Sequence, residues 1–293
     1  MTLPDDLSTL LTQAGLDPVS VSDLVAATLE EDLDGGVDVT TEATVPADQR
    51  VWGDLVARAD GVVAGLLVAE VAMRMAGAAE VERRVFDGTQ VGAGDVVLSV
   101  EGPTRALLTA ERTALNFCCH LSGVATLTRR WADAVQHTKA RVRDTRKTTP
   151  LMRSLEKYAV RCGGGANHRR SLSDQALIKD NHVLAAGGAA EAFASVRKAF
   201  PDLPVQVEVT RLDQLQPVLD AGAESILLDN MAPDLMREAV AVVAGRAELE
   251  ASGGLTLDVA ATVAETGVDF LAVGALTHSA PVLDLAFDLR SQP

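Results

Sequence analysis

Hydrophobic and polar positions follow a regular rhythm only after about residue 138. Short β-rich runs there end in a polar or small residue and give way to helical spacing. The runs are ARVRD (140–144), ALIKD (176–180), VQVEV (205–209), SILLD (225–229), AELEAS (247–252) and DFLAVG (269–274). Between them, stretches such as AAEAFASVRKAF and APDLMREAVAVVAG read as helices. The last runs recur about every 22 residues, which predicts a parallel sheet, closed or nearly closed into a β/α barrel.

The first half is less regular. VSDLVAATLEEDL (21–33) reads as an acidic helix closed by Gly35 and Gly36, VWGDLVAR (51–58) as a strand, and LLVAEVAMRMAG (66–77) as a helix ending at Gly77. DGTQVGAGDVVLSVEG (87–102) reads as a hairpin with glycine turns. RALLTAERTALNFCCHLSG (105–123) is an apolar helix with one polar stripe: Thr109, Arg112, Asn116 and His120. Such a stripe either faces water or lines a site or subunit contact, and the pattern does not choose.

Composition narrows the partners. At 293 residues, 47% hydrophobic, the chain can bury a large core. Aromatics at 3% leave few platforms for stacking single-stranded nucleic acid, and a net charge of −15 opposes nucleic acid and anionic membranes. MTLPDDLSTL lacks the basic and apolar regions of a signal peptide, and the apolar stretch 62–73 is too short to span a bilayer. Cys118, Cys119 and Cys162 suit neither a disulfide framework nor a metal site, and read as reduced thiols of a cytoplasmic protein.

The charge is unevenly distributed. Residues 139–179 carry eleven of the 26 Lys and Arg with three acids, leaving 15 bases against 38 acids elsewhere. This segregation predicts a pocket for a small, highly charged anion.

In a β/α barrel the chemistry sits at the C-terminal strand ends, here Asp144, Lys179, Glu208, Asp229, Ser252 and Gly274. Arg146 and Lys147 follow the first of these strands; Thr149 and Pro150 then read as the cap and first position of a helix. On that helix Arg153, Lys157 and Arg161 share a face, either wet or turned to an anion, and Lys157 fits the wet reading. After the Gly163–Gly165 hinge come His168 and Arg169. Arg146 and Arg169 suit a ligand with several anionic groups, and His168 joins them as a ligand contact. Lys179 suits either a Schiff base or carboxylate binding. Glu208 points inward beside Gln206 and needs a cation or metal as partner. Glu208 and Asp229 on adjacent strands suit Mg²⁺, or stabilisation of a cationic sugar. ASGGL (251–255) and AVGAL (272–276) offer backbone N–H groups to a phosphate.

In this order and spacing, DTRKTTP, GGGANHR, ALIKDNH, VEV, LLDN, SGGL and VGALTHS resemble the nicotinate-nucleotide pyrophosphorylase, or quinolinate phosphoribosyltransferase, family. EEDLDGGVDVTTEATVP and LLTAERTALNFCCHLSG add to a resemblance running from about residue 24 to 288. It implies an α/β fold: an incomplete parallel β/α barrel at 111–279 and an N-terminal α/β sandwich domain at 1–110, with 280–293 a candidate to pack back on it. The implied reaction joins quinolinate to phosphoribosyl pyrophosphate with Mg²⁺, giving nicotinate mononucleotide, pyrophosphate and CO₂ in cytoplasmic NAD biosynthesis. The implied assembly is a homodimer, with no nucleic-acid or membrane partner, in which Arg112 completes the partner's site.

The resemblance also implies roles. Arg146, His168, Arg169 and Lys179 would hold the quinolinate carboxylates, and Lys147 would meet pyrophosphate. Glu208 and Asp229 would serve ribose and Mg²⁺. Ser252, Gly253, Gly254, Val273, Gly274 and Ala275 would cradle the 5′-phosphate, with Thr145 and His278 behind them. Lys147, Lys179, Glu208 and Asp229 are the implied catalytic groups. Ser171 stands where glycine is more usual, and Thr210 where an acid is. Three rivals share the pattern: a class I barrel aldolase using Lys179, a paralogue from molybdate-transport operons with another substrate, and a non-catalytic anion-binding scaffold.

Overall fold

The structure, a computed structural model, describes residues 3–290. Its strands are β1 (Arg50–Ala57), β2 (Gly61–Val62), β3 (Glu80–Arg83), β4 (Gln90–Val91), β5 (Val96–Pro103), β6 (Arg141–Arg143), β7 (Ala176–Ile178), β8 (Val205–Val209), β9 (Ser225–Asp229), β10 (Glu248–Ser252), β11 (Phe270–Ala272) and β12 (Leu285–Leu289). The chain forms two compact units. One comprises residues up to 127, 154–164 and those from 280 on; the other comprises 128–153 and 165–279. The division at 127/128 and the expected boundary at 110/111 both fall within one helix, Thr104–Val135.

In the first unit an antiparallel sheet runs β12-β1-β5-β3. Leu55, Leu98 and Val100 are fully buried in it. The helix Leu66–Ala76 is buried at every position from Leu66 to Met73 and ends at Gly77, whose φ of 118° favours glycine. Glu70 within it is wholly buried and ion-paired to Arg74 and Arg83 at 2.8 and 2.7 Å. Pairing of β12 with β1, from Gly53↔Leu289 to Ala57↔Leu285, packs the 280–290 segment back on this unit; the expectation for 291–293 lies outside the described residues.

Three local expectations differ here. The segment 87–102 is not a hairpin: β4 pairs with β2, whereas β5 pairs with β1 and β3. Alternation specified strands and a turn, but a strand's partner depends on which edge its buried face completes. The helix after Pro150 begins only at Arg153 (Arg153–Cys162), because Leu151 adopts a left-handed φ of 66° and breaks the run. Lys157 is 1% exposed, not wet. Every residue from Leu155 to Val160 is buried, so the middle of this helix is enclosed and, of the charged face, only Arg161 at its end is exposed.

The second unit is the parallel sheet β6-β11-β10-β9-β8-β7. All six expected strands form, each a few residues shorter or equal to its run. Consecutive neighbours from β7 to β11, with β6 beside β11, give a β/α barrel left open between β6 and β7. Ala166 extends the β6 edge through a parallel bridge to Arg143. Val205, Val207, Val209, Ile226, Leu228, Leu249 and Ala251 are buried. The alternate positions in register, Glu208↔Leu227 and Leu227↔Glu250, line the interior. Outward apolar packing therefore holds the strands, which frees the lumen for polar groups. Among the described residues no helix is long and apolar enough to cross a membrane.

Candidate active site

Strands β6 to β11 of the second unit end around a cavity of about 720 Å³. Its walls hold Thr145, Arg146, Lys147, His168, Arg169, Lys179, Glu208, Asp229, Ser252, Gly253, Gly254, Val273, Gly274, Ala275 and His278, which are all the anticipated residues except Arg112. Asp144, also at a strand end, is fully buried and not in the wall. It accepts hydrogen bonds from the Asn167 amide and the His168 N–H, and so fastens the loop that follows the glycine hinge.

Only four of the eleven clustered cations reach the cavity: Arg146, Lys147, Arg169 and Lys179. The others do not line it: Lys139 pairs with Asp269 at 2.7 Å, for example, and Arg143 with the wall residue Glu250 at 2.7 Å. Arg146 Nε is buried without a hydrogen-bond partner. Burial first, and then the neighbouring Arg146 cation, hold the Arg169 guanidinium below its usual basicity. Two guanidiniums that repel one another, one with an orphaned donor, form a site short of negative charge. The Arg169 loop is stiff: Asp174 accepts from the N–H of Arg170 at 2.6 Å and of Ser171 at 3.0 Å, and Arg169 donates to the Gln175 carbonyl at 2.8 Å. Ser171 therefore serves without glycine's freedom. Thr210 is likewise fixed, its N–H donating to Gln214 at 2.8 Å.

In the same cavity, Lys179 Nζ lies 2.8 Å from Glu208 Oε2. Lys179 is the cation the inward glutamate required. Its side chain is half exposed (49%) while that of Glu208 is 9% exposed, so the carboxylate is fixed and the amine is reachable by a ligand. On the next strand Asp229 accepts from the Asn230 amide at 2.9 Å. Among the described residues no three His, Cys, Asp or Glu side chains converge as metal ligands. The two carboxylates fit a hard divalent ion that keeps waters and ligand phosphate oxygens, as Mg²⁺ does.

Residues not anticipated also line the cavity, chiefly Asn230 and Glu250. Glu250 stands in its strand as Glu208 does, an acid at an inward position, and that alternation was the available signal. Asn230 adopts φ 54°, a conformation asparagine tolerates, and its N–H donates to the Ser252 carbonyl at 2.9 Å. His168 is 8% exposed and both ring nitrogens are engaged: Nε2 lies 2.9 Å from Gln206 Oε1, and Nδ1 accepts the Arg169 N–H at 2.7 Å.

The glycine turns close the far side. Gly253 has φ 95°, and a Cβ there would collide with the Asn230 side chain. Gly253→Ala is expected to cost about 1–3 kcal/mol of stability, read as a lower urea midpoint. At Gly274 a Cβ would come within 3.0 Å of the Lys147 stem and 3.1 Å of His278 Nε2.

Arg112 lies in the first unit. Of the stripe on its helix, Arg112 and Asn116 are exposed, whereas His120 is bonded to the buried Glu156 at 2.8 Å. Family models for the quinolinate phosphoribosyl transferase N-terminal and C-terminal domains match residues 38–122 and 124–288. A nicotinate-nucleotide pyrophosphorylase [carboxylating] of Mycobacterium leprae is 50% identical over 273 residues, covering 91% of this chain and 96% of that protein. A quinolinate phosphoribosyltransferase [decarboxylating] 2b of Nicotiana tabacum is 36% identical over 292 residues, 93% and 83% of the two chains. A solved nicotinate-nucleotide pyrophosphorylase from Francisella tularensis superposes with a TM-score of 0.89 at 34% identity, covering 99% of this chain and 98% of that one.

Proposed function

The chain belongs to the quinolinate phosphoribosyltransferase family, and from that premise we propose how its cavity performs the transfer. The enzyme is a decarboxylating phosphoribosyltransferase of NAD biosynthesis, acting on quinolinate and phosphoribosyl pyrophosphate. The carrying observation is that one cavity gathers Arg146, whose Nε has no partner, Arg169, and the Lys179–Glu208 pair with Asp229.

Arg146 and Arg169 take the two carboxylates of quinolinate, with Lys179 at their edge. The N–H groups of Ser252–Gly254 and Val273–Ala275 take the 5′-phosphate. Lys147 meets the pyrophosphate; its backbone is held by its own N–H to Thr145 Oγ1 at 3.0 Å and by Thr277 Oγ1 donating to its carbonyl at 2.7 Å. Glu208 and Asp229 are the residues that would hold Mg²⁺, which supplies positive charge to the leaving pyrophosphate when bound.

The C1–oxygen bond breaks and its electron pair leaves with pyrophosphate. Glu208 and Asp229 stabilise the positive charge that grows on the sugar. The pyridine nitrogen lone pair closes the new N–C1 bond. The C2–carboxylate bond then breaks, CO₂ departs, and the pair left at C2 is stabilised by the adjacent pyridinium nitrogen until C2 takes a proton from water. Arg112 of a second copy completes the diacid site, so the working unit is a homodimer.

Incubation of quinolinate, phosphoribosyl pyrophosphate and Mg²⁺ with the enzyme is expected to release CO₂ and nicotinate mononucleotide in equal amounts. Lys179 should not be trapped on a substrate by borohydride, since its pairing with Glu208 is the opposite of a free amine nucleophile. Trapping, or binding with no CO₂, would overturn this mechanism.

A further inference from the structure

A buried polar chain ties β6, β8 and β10 to His168 beside the cavity. Arg143 of β6 stacks 3.7 Å over the Phe270 ring and donates to Glu250 Oε2 at 2.7 Å. Glu250 is 1% exposed, and its Oε1 lies 3.4 Å from His168 Nε2. Gln206, wholly buried, presents Oε1 to the same nitrogen at 2.9 Å. Burial alone would raise the Glu250 carboxyl, but His168 and Arg143 outweigh it and hold it below the usual range.

The hydrogen bonds fix one form of His168. Its Nδ1 accepts the Arg169 N–H, so that nitrogen carries a lone pair. The ring proton is then on Nε2, where Gln206 Oε1 takes it and the Glu250 charge favours it. Turning the Gln206 amide around would set donor against donor. The arrangement leaves Arg143 Nε and Gln206 Nε2 buried without hydrogen-bond partners, and Glu250 Oε1 with only the 3.4 Å approach of His168 Nε2. Buried polar atoms left unpaired destabilise a fold, so apolar side chains here would serve stability better.

We propose that Glu250 and Gln206 are positioning residues for the diacid: they hold His168 as the Nε2–H tautomer, whose Nδ1 fixes the backbone of Arg169. This deepens the proposed function and rests on its assignment of Arg169 to a quinolinate carboxylate. The interior acid and amide act on the substrate through His168 and Arg169.

Two measurements test this. Long-range ¹H–¹⁵N NMR of the free wild-type enzyme, which has five histidines, should show His168 protonated at Nε2 and bare at Nδ1. The opposite tautomer overturns the proposal whatever the substrate proves to be. In steady-state kinetics Glu250→Gln should raise KM for quinolinate about tenfold, worth about 1.4 kcal/mol, with kcat and KM for phosphoribosyl pyrophosphate changed less than about threefold. Gln206→Leu breaks no ion pair, so it guards against misfolding of the first variant, and should act in the same sense. In a His168→Asn background neither substitution should add a further effect. Equal rises for both substrates, or full additivity with His168→Asn, would sink the idea. Failure of the wild type to turn over quinolinate would instead reject the functional reading and leave the tautomer result standing.

Discussion

Glu208→Gln is expected to lower kcat by about 10²–10³-fold without raising KM for quinolinate. The substitution keeps shape and removes charge. If Glu208 stabilises the sugar only as positive charge develops, its loss appears in kcat and kcat/KM together and spares ground-state binding. The ground state should not weaken, because Lys179, 2.8 Å away, is released from its carboxylate and gains freedom to meet an anion. Nor should the fold suffer, since the lysine left unpaired is 49% exposed and water can take up its charge. Rapid-quench measurement of the first turnover, beside the steady-state rate, checks this. A variant that turns over within threefold of wild type would show that Glu208 is only the partner of Lys179.

Arg112→Ala should reduce kcat/KM for quinolinate about 30-fold or more, the cost of truncating one partner of a desolvated charge pair, with an unchanged denaturation midpoint. Arg112 is exposed on its own chain and does not line that chain's cavity, so a loss of activity has to act through another copy. Subunit mixing makes the argument decisive. In a heterodimer of Arg112→Ala and Glu208→Gln chains, one site combines the native Glu208 of the first with the native Arg112 of the second. A random equal mixture should therefore recover about a quarter of wild-type activity from two nearly inactive proteins. Activity no greater than the sum of the parts would reject the shared site.

Much of the barrel was legible in the chain. VQVEV and SILLD became β8 and β9 over the residues read from the sequence, because buried aliphatic positions encode the strand while Glu208 and Asp229, at or next to its end, mark the rim. The strand-end rule reached Lys179, Glu208, Asp229, Ser252 and Gly274, since strand ends converge wherever a parallel barrel forms, whereas Thr145 and His278 came only from the family resemblance. The charge pattern misjudged Lys157, whose spacing matched a wet face while the middle of its helix is enclosed. It overvalued the cation cluster too, as seven of the eleven do not line the cavity.

The sequence by itself determined which six segments become the barrel strands and the order in which they follow one another, because periodicity and order along the chain are local properties. Only the tertiary structure decided the partners: β5 with β1 and β3 and not β4, Lys179 with Glu208, His168 between Gln206 and Arg169 above Arg143 and Glu250. Most of those pairs lie tens of residues apart. Register and packing bring them together, and no one-dimensional pattern records the distance between two side chains across a lumen.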